Sequence, residues 1–176
     1  MRKLFLALAF VLVCVPARAQ DIPRVEIFGG YSYLHREDVD LNPGWNLAVD
    51  WSFGKTFMAV LDESAQYGTL HGQSVRQFWV SAGPAAAFGR DKRAAVFVHV
   101  FAGLIRSIAV VEREGDSVSV QENDFGTMFG GGTDIKMSRK FAFRLQGDYE
   151  IVFAQDGNQT GYRLSAGIVF RMGMGK

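Results

Sequence analysis

The 176-residue chain has one cysteine, almost no net charge, and no uninterrupted apolar run of the ~20 residues that a spanning helix needs. Each shortage excludes something. Cys14 lies in an apolar stretch near the N-terminus, and once that stretch is cut away neither a disulfide framework nor a cysteine-based metal site is available. Stability must then come from packing and hydrogen bonds. Val13 stands where lipid attachment at Cys14 would require a small residue, which argues against a lipoprotein. Of the 19 basic side chains, Arg2, Lys3 and Arg18 belong to the N-terminal stretch, leaving 16 against 18 acidic ones, a formal charge of −2. So weak a balance argues against nucleic acid as a partner.

What is present begins with a leader. A positive start (Met1, Arg2, Lys3), an apolar run over 4–15 and the small-x-small sequence Ala17-Arg18-Ala19 make residues 1–19 a signal peptide, with the mature chain starting at Gln20. Residues 20–24 form a short N-terminal segment, 25–173 a single domain, and 174–176 a tail.

That domain is written in period two. In 141–151, Phe143, Leu145, Tyr149 and Ile151 alternate with Arg144, Gln146, Asp148 and Glu150, and 161–172 repeats the pattern with Tyr162, Leu164, Ala166, Ile168, Phe170 and Met172 opposite Arg163, Ser165, Gly167 and Arg171. Earlier segments follow the same grammar. Strands are expected at 25–34, 44–53, 56–62, 75–88, 94–105 and 125–136, with Trp45, Leu47, Val49, Trp51 and Phe53 the clearest alternation. Pro84 removes a ladder donor and is expected near a strand end or at a bulge.

Eight strands result, and their connections alternate in length. Long polar segments follow strands one, three, five and seven (about 35–43, 63–74, 106–124 and 153–160), and short turns follow two, four and six. This is the asymmetry of an outer-membrane barrel, with short turns in the periplasm and long loops outside. The up-down order places Tyr31, Tyr33, Trp45, Tyr149 and Tyr162 at the outer ends and Trp51, Phe53, Phe141, Phe143 and Phe170 at the inner ends, two aromatic belts around an aliphatic band. The fold class is therefore all-β, an eight-stranded antiparallel up-and-down transmembrane β-barrel. A soluble lipocalin-like barrel would carry the same strand count with the faces exchanged, apolar inside and charged outside.

The runs FGGGTDIKMSRKFAFRLQGDYE and YRLSAGIVFRMG, with GGYSYL, SAGPAAAF and VFVHVFAGL before them, resemble the OmpA/OmpX-like small outer-membrane barrels over essentially all of 25–173. The resemblance implies insertion by the barrel assembly machinery, reading Ser165, Gly167, Phe170 and Met172 in the final strand, with periplasmic chaperones as earlier partners. It does not extend to the peptidoglycan-binding domain of full-length OmpA proteins.

If the aromatic faces meet lipid, Asp50, His99, Asp134, Arg144, Gln146, Asp148, Glu150, Arg163 and Arg171 project into a lumen only wide enough for side chains to fill. They are read as a paired structural plug, with a narrow or gated polar path as the alternative. Barrel enzymes of the PagL and PagP type use histidine with serine and a carboxylate on lipid A, but Phe101 holds the second position after His99, and His71 with Ser74 lies in a loop. Gly130-Gly131-Gly132 is followed by no phosphate-loop ending and reads as room for bulky neighbours. Glu112, Glu114, Asp116, Glu122 and Asp124 make the third outer segment acidic, a candidate for divalent bridging to lipopolysaccharide. No catalytic residue, metal site or cofactor is assigned. The expected protein is a monomeric, non-enzymatic outer-membrane barrel of a Gram-negative-type bacterium. Lipid and lipopolysaccharide surround it, and its outer loops carry any surface interaction.

Overall fold

In a computed structural model, residues 22–36, 39–70, 73–113, 116–154 and 157–173 are described. The leader, His71 and Glu114 lie outside them. The strands are β1 (Val25–Arg36), β2 (Val39–Phe53), β3 (Phe57–Leu70), β4 (Gln73–Phe88), β5 (Ala94–Arg113), β6 (Asp116–Lys136), β7 (Phe141–Ala154) and β8 (Gly157–Met172). Each pairs antiparallel with the next, and β8 pairs with β1, so the sheet is a closed barrel. Closure gives each strand a neighbour on both sides, which an open sheet cannot do for its edges.

The register is staggered. Following cross-strand partners once round, from Ile135 through Phe143, Ile168, Gly29, Leu47, Glu63, Val80 and Leu104, returns to β6 at Phe125, ten residues from the start. Such a stagger accompanies tilted strands, and the tilt carries residues distant in sequence to facing positions across the lumen.

Alternation decides the faces. Phe57, Phe88, Phe141, Trp51 and Phe53 are exposed near the turn end, and Tyr31, Trp45, Phe125, Phe153 and Tyr162 toward the hairpin end, with Leu61, Val98, Val100, Leu145 and Leu164 between. The charged residues level with this band, Asp50, Asp62, Arg144, Asp148 and Arg163 among them, are buried instead, so the lipocalin-like arrangement is overturned. Some aromatics also face in: Phe28, Trp79, Phe97 and Phe101 are buried with Met58, Ile105 and Met128.

Two of the three short turns use a glycine with a left-handed backbone: Gly54 (φ 98°) between β2 and β3, and Gly89 (φ 73°) after β4. Pro84 sits neither at a bulge nor at the strand terminus. Pairing with β5 lapses at Gly83 and Pro84 but resumes in the same register, Ala82 with Ala102 and Ala85 with His99. Proline's missing donor thus leaves a gap in the ladder without a shift.

The long connections differ from expectation. Residues 39–43, 63–70, 106–113, 116–124 and 157–160 are strand. Antiparallel hairpins go on pairing above the apolar band, where the sequence turns more polar and sustained alternation is lost.

Candidate functional site: the lumen network and the outer hairpins

The lumen is built from strand positions of one parity, stacked as arginine-centred layers. At the turn end Arg171 Nε donates to Glu26 Oε1 at 2.8 Å, and Arg90, from the β4–β5 turn, pairs with the same carboxylate and donates to Ser52 Oγ at 2.9 Å. Above this, Arg144 spans the barrel. Its Nε and Nη2 donate to Asp134 Oδ1 (2.7 Å) and Oδ2 (3.0 Å), and Nη2 also donates to Asp50 Oδ2 at 2.9 Å. The same guanidinium lies over the rings of Phe97 (4.6 Å) and Phe28 (5.3 Å), a cation–π contact on either side.

Arg163 forms the next layer. It donates to Asp148 Oδ2 (2.9 Å), Asp62 Oδ1 (2.8 Å) and Ser64 Oγ (2.9 Å). Asp148 further accepts from Gln146 Nε2 (3.0 Å) and meets His99 Nε2 at 2.7 Å. The His99 ring stacks on Phe101 at 4.1 Å. Toward the hairpin end, Arg36 Nη2 donates to Glu150 Oε2 at 3.1 Å.

All nine sequence-expected lumen residues, Asp50, His99, Asp134, Arg144, Gln146, Asp148, Glu150, Arg163 and Arg171, are buried here. Among the described residues the lumen holds six carboxylates (Glu26, Asp50, Asp62, Asp134, Asp148, Glu150) against five arginines (Arg36, Arg90, Arg144, Arg163, Arg171). Opposite charges nearly balance within hydrogen-bonding distance, which is the condition under which buried ions are tolerated. Glu26, Asp62, Arg36 and Arg90 escaped the sequence reading. The signal for Glu26 and Asp62 was parity: each stands two residues before an inward position of its own strand, Phe28 and Ser64. Arg90 lies in a turn, and nothing in sequence indicates that it reaches back into the lumen.

Glycines make room for this network. A Cβ on Gly130 would lie 2.1 Å from Asp148 Oδ1 and 2.7 Å from His99 Nε2, and one on Gly132 would lie 2.7 Å from the Phe97 ring. Of the final-strand residues, Ser165 is buried in the lumen while Phe170 and Met172 belong to the outward set. Gly167 faces Gly30 of β1 so closely that a Cβ would meet Gly29 O at 2.3 Å.

At the opposite end, the β5–β6 hairpin outgrows its neighbours. β5 and β6 stay paired from Ala94–Ile135 out to Arg113–Asp116, but β7 accompanies β6 only as far as Phe125. Along 116–124, β6 therefore has no β7 partner among the described residues. His71 lies outside the described residues, so its relation to Ser74 is not defined. Glu122 and Asp124 lie on this hairpin, opposite Ser107 and Ile105. On the β1–β2 hairpin, on the other side of the barrel, Asp40 Oδ1 accepts from Tyr33 OH at 2.6 Å and meets His35 Nδ1 at 2.7 Å, and these bonds, Tyr33 first, hold its carboxyl below the ordinary aspartate range.

No family model and no curated protein sequence matches the chain. Solved structures do. Neisserial surface protein A superposes with a TM-score of 0.64 at 10% identity, covering 84% of this chain and 96% of that one. OprG from Pseudomonas aeruginosa gives 0.57 at 9%, covering 88% and 98%. Ail, the attachment invasion locus protein of Yersinia pestis, solved with the heparin analogue sucrose octasulfate, gives 0.56 at 16%, covering 83% and 96%. At such identities the likeness speaks for the fold alone. The chain has the fold of the small eight-stranded outer-membrane barrels, closed and antiparallel, with an ion-pair network inside and a largely apolar exterior.

Proposed function

We propose that this protein is a monomeric, non-enzymatic barrel of a Gram-negative-type outer membrane, exported behind a cleaved leader. Its body is a sealed structural element, and its β5–β6 hairpin takes surface ligands. The observation that carries the reading is the edge of β6 over 116–124, which has no β7 partner among the described residues. Unpaired backbone donors and acceptors in extended conformation are a ready template for an incoming strand. The exposed apolar exterior supports membrane residence, because a water-facing surface of this composition would aggregate. Ail, similar in fold, is named for attachment and invasion, which fits a surface role.

Within this reading the lipid and lipopolysaccharide of the membrane surround the aromatic belts. Periplasmic chaperones and the barrel assembly machinery would recognise the final strand through Ser165, Gly167, Phe170 and Met172. Nucleic acid is not a partner. The alternative is a narrow pore, opposed by the arginine layers that cross the lumen.

Two measurements test the proposal on the full chain. Cysteine at Val120 should react with a membrane-impermeant maleimide on intact cells, whereas cysteine at Lys92, in the β4–β5 turn, should react only after permeabilisation. In planar bilayers the pure protein should show no stable openings. Equal labelling of both positions on intact cells would refute the orientation, and stable conductance would replace the sealed body with the pore.

A further inference from the structure

The outward face of β3, β4 and β5 changes character just above the aromatic belt. Tyr67 and Phe78, neighbours on β3 and β4, meet edge to face at 6.3 Å between ring centroids. Paired tyrosine and phenylalanine on an apolar exterior mark the level of lipid headgroups. Arg76 stands beside Tyr67 in the β3–β4 register, and Arg106 stands beside Phe78 in the β4–β5 register. Both arginines are exposed. They lie diagonally across adjacent strands on one face, a placement that sets such side chains about 7 Å apart at their bases.

Two guanidiniums so placed repel each other unless an anion lies between them. The face supplies none at that level: Arg76 neighbours Tyr67 and Ile108, and Arg106 neighbours Phe78 and Asn123. Glu63 shares the face but pairs with Leu47 and Val80, four residues nearer the turn end than Tyr67. Glu122 and Asp124 pair with Ser107 and Ile105 and take the other parity. Among the described residues, neither arginine joins an ion pair. Arg106 is nonetheless oriented, because its Nε donates to Asn123 Oδ1 at 2.9 Å, leaving its terminal nitrogens for another acceptor.

We propose that Arg76 and Arg106 form a seat for the phosphate of an outer-leaflet lipid, with Tyr67 and Phe78 beneath it against the first carbons of the acyl chains. Planar guanidinium forks match phosphate oxygens bidentately, and a surface charge at the headgroup level gains more from an anionic lipid than from water. The inference rests on the membrane reading above and names a lipid-binding site within it. The hairpin edge, by contrast, faces solvent and calls for a polypeptide.

The test titrates the detergent-purified full chain with phosphatidic acid and with phosphatidylcholine, counting bound lipid by native mass spectrometry, with inorganic phosphate as a competing arm. The heat-dependent gel shift of each sample reports separately whether it is a folded barrel. Wild type should prefer phosphatidic acid, and Arg76→Gln and Arg106→Gln should each weaken that binding about fivefold, with the double variant about 25-fold weaker. Arg139→Gln, in the β6–β7 turn, should change nothing. Equal binding of the two lipids by wild type, or an unchanged double variant that still shows the gel shift, would overturn the proposal. Displacement by inorganic phosphate at lipid-like concentrations would show that the seat takes free phosphate instead. Loss of the gel shift in wild type would refute the membrane reading itself.

Discussion

Strand β6 is two different structures end to end. From Phe125 to Ile135 it is paired on both edges, by β5 and by β7; of its inward residues, Asp134 pairs with Arg144, Met128 Sδ accepts from Arg163, and Gly130 leaves room for Asp148. From 116 to 124, among the described residues, it pairs with β5 alone. The lower half has its backbone and charges satisfied within the molecule, so it offers a partner little. The upper half has backbone groups to give away. On the proposed function, such a barrel separates tasks by height: the body serves its own stability, and recognition falls to the part that outgrows it.

The contrast breaks most sharply at Arg163. Arg163→Ala strands Asp62 and Asp148 without their cation and should destabilise the folded barrel by about 3–5 kcal/mol, read from urea unfolding in lipid by gel shift. Next comes Gly130→Ala, which drives a Cβ against Asp148 and the Gly147 carbonyl and should cost about 1–3 kcal/mol in the same assay. Replacing 109–120 by a short turn should change that unfolding by no more than about 0.5 kcal/mol, because among the described residues no lumen ion pair involves this segment. The same trimmed chain should lose any surface binding.

The smallest effect concerns Asp40. Its carboxyl is held below the ordinary value, chiefly by the Tyr33 hydroxyl. The sign follows: the bond stabilises the β1–β2 hairpin fully above the ordinary carboxylate range and is lost as pH falls through the lowered value. Hairpin order followed by NMR should thus decline in acid, and Asp40→Asn should flatten that decline.

Much of the lower half was legible in sequence. Trp45 to Phe53 and Phe143 to Ile151 alternate so strictly that faces, strand direction and lumen charges follow from period two. The pairing of those charges was not legible. Asp50 meets Arg144, and Asp62 meets Arg163, from opposite sides of the barrel, and the ten-residue stagger that aligns them is a property of closure that no single strand records. Asp62 is also hard to read because it closes the expected strand 56–62, whose two faces are both fairly apolar, so parity alone does not mark which one is inward. The upper half reads as loop for a related reason: 106–124 is dense in polar and charged residues and its apolar ones, Ile108 to Val111, run consecutively, so no sustained alternation marks a strand whose backbone continues to pair.

Hydrogen exchange along β6 of the folded, lipid-embedded protein tests the division most directly. Amides of 125–136 should be protected throughout, while along 116–124 protection should alternate, slow where the amide donates to β5 and fast where it faces the open edge. Uniform protection from 116 to 136 would mean that the edge is covered, contradicting the account. Uniformly fast exchange over 116–124 would contradict it as well, since no hairpin would then exist to offer an edge.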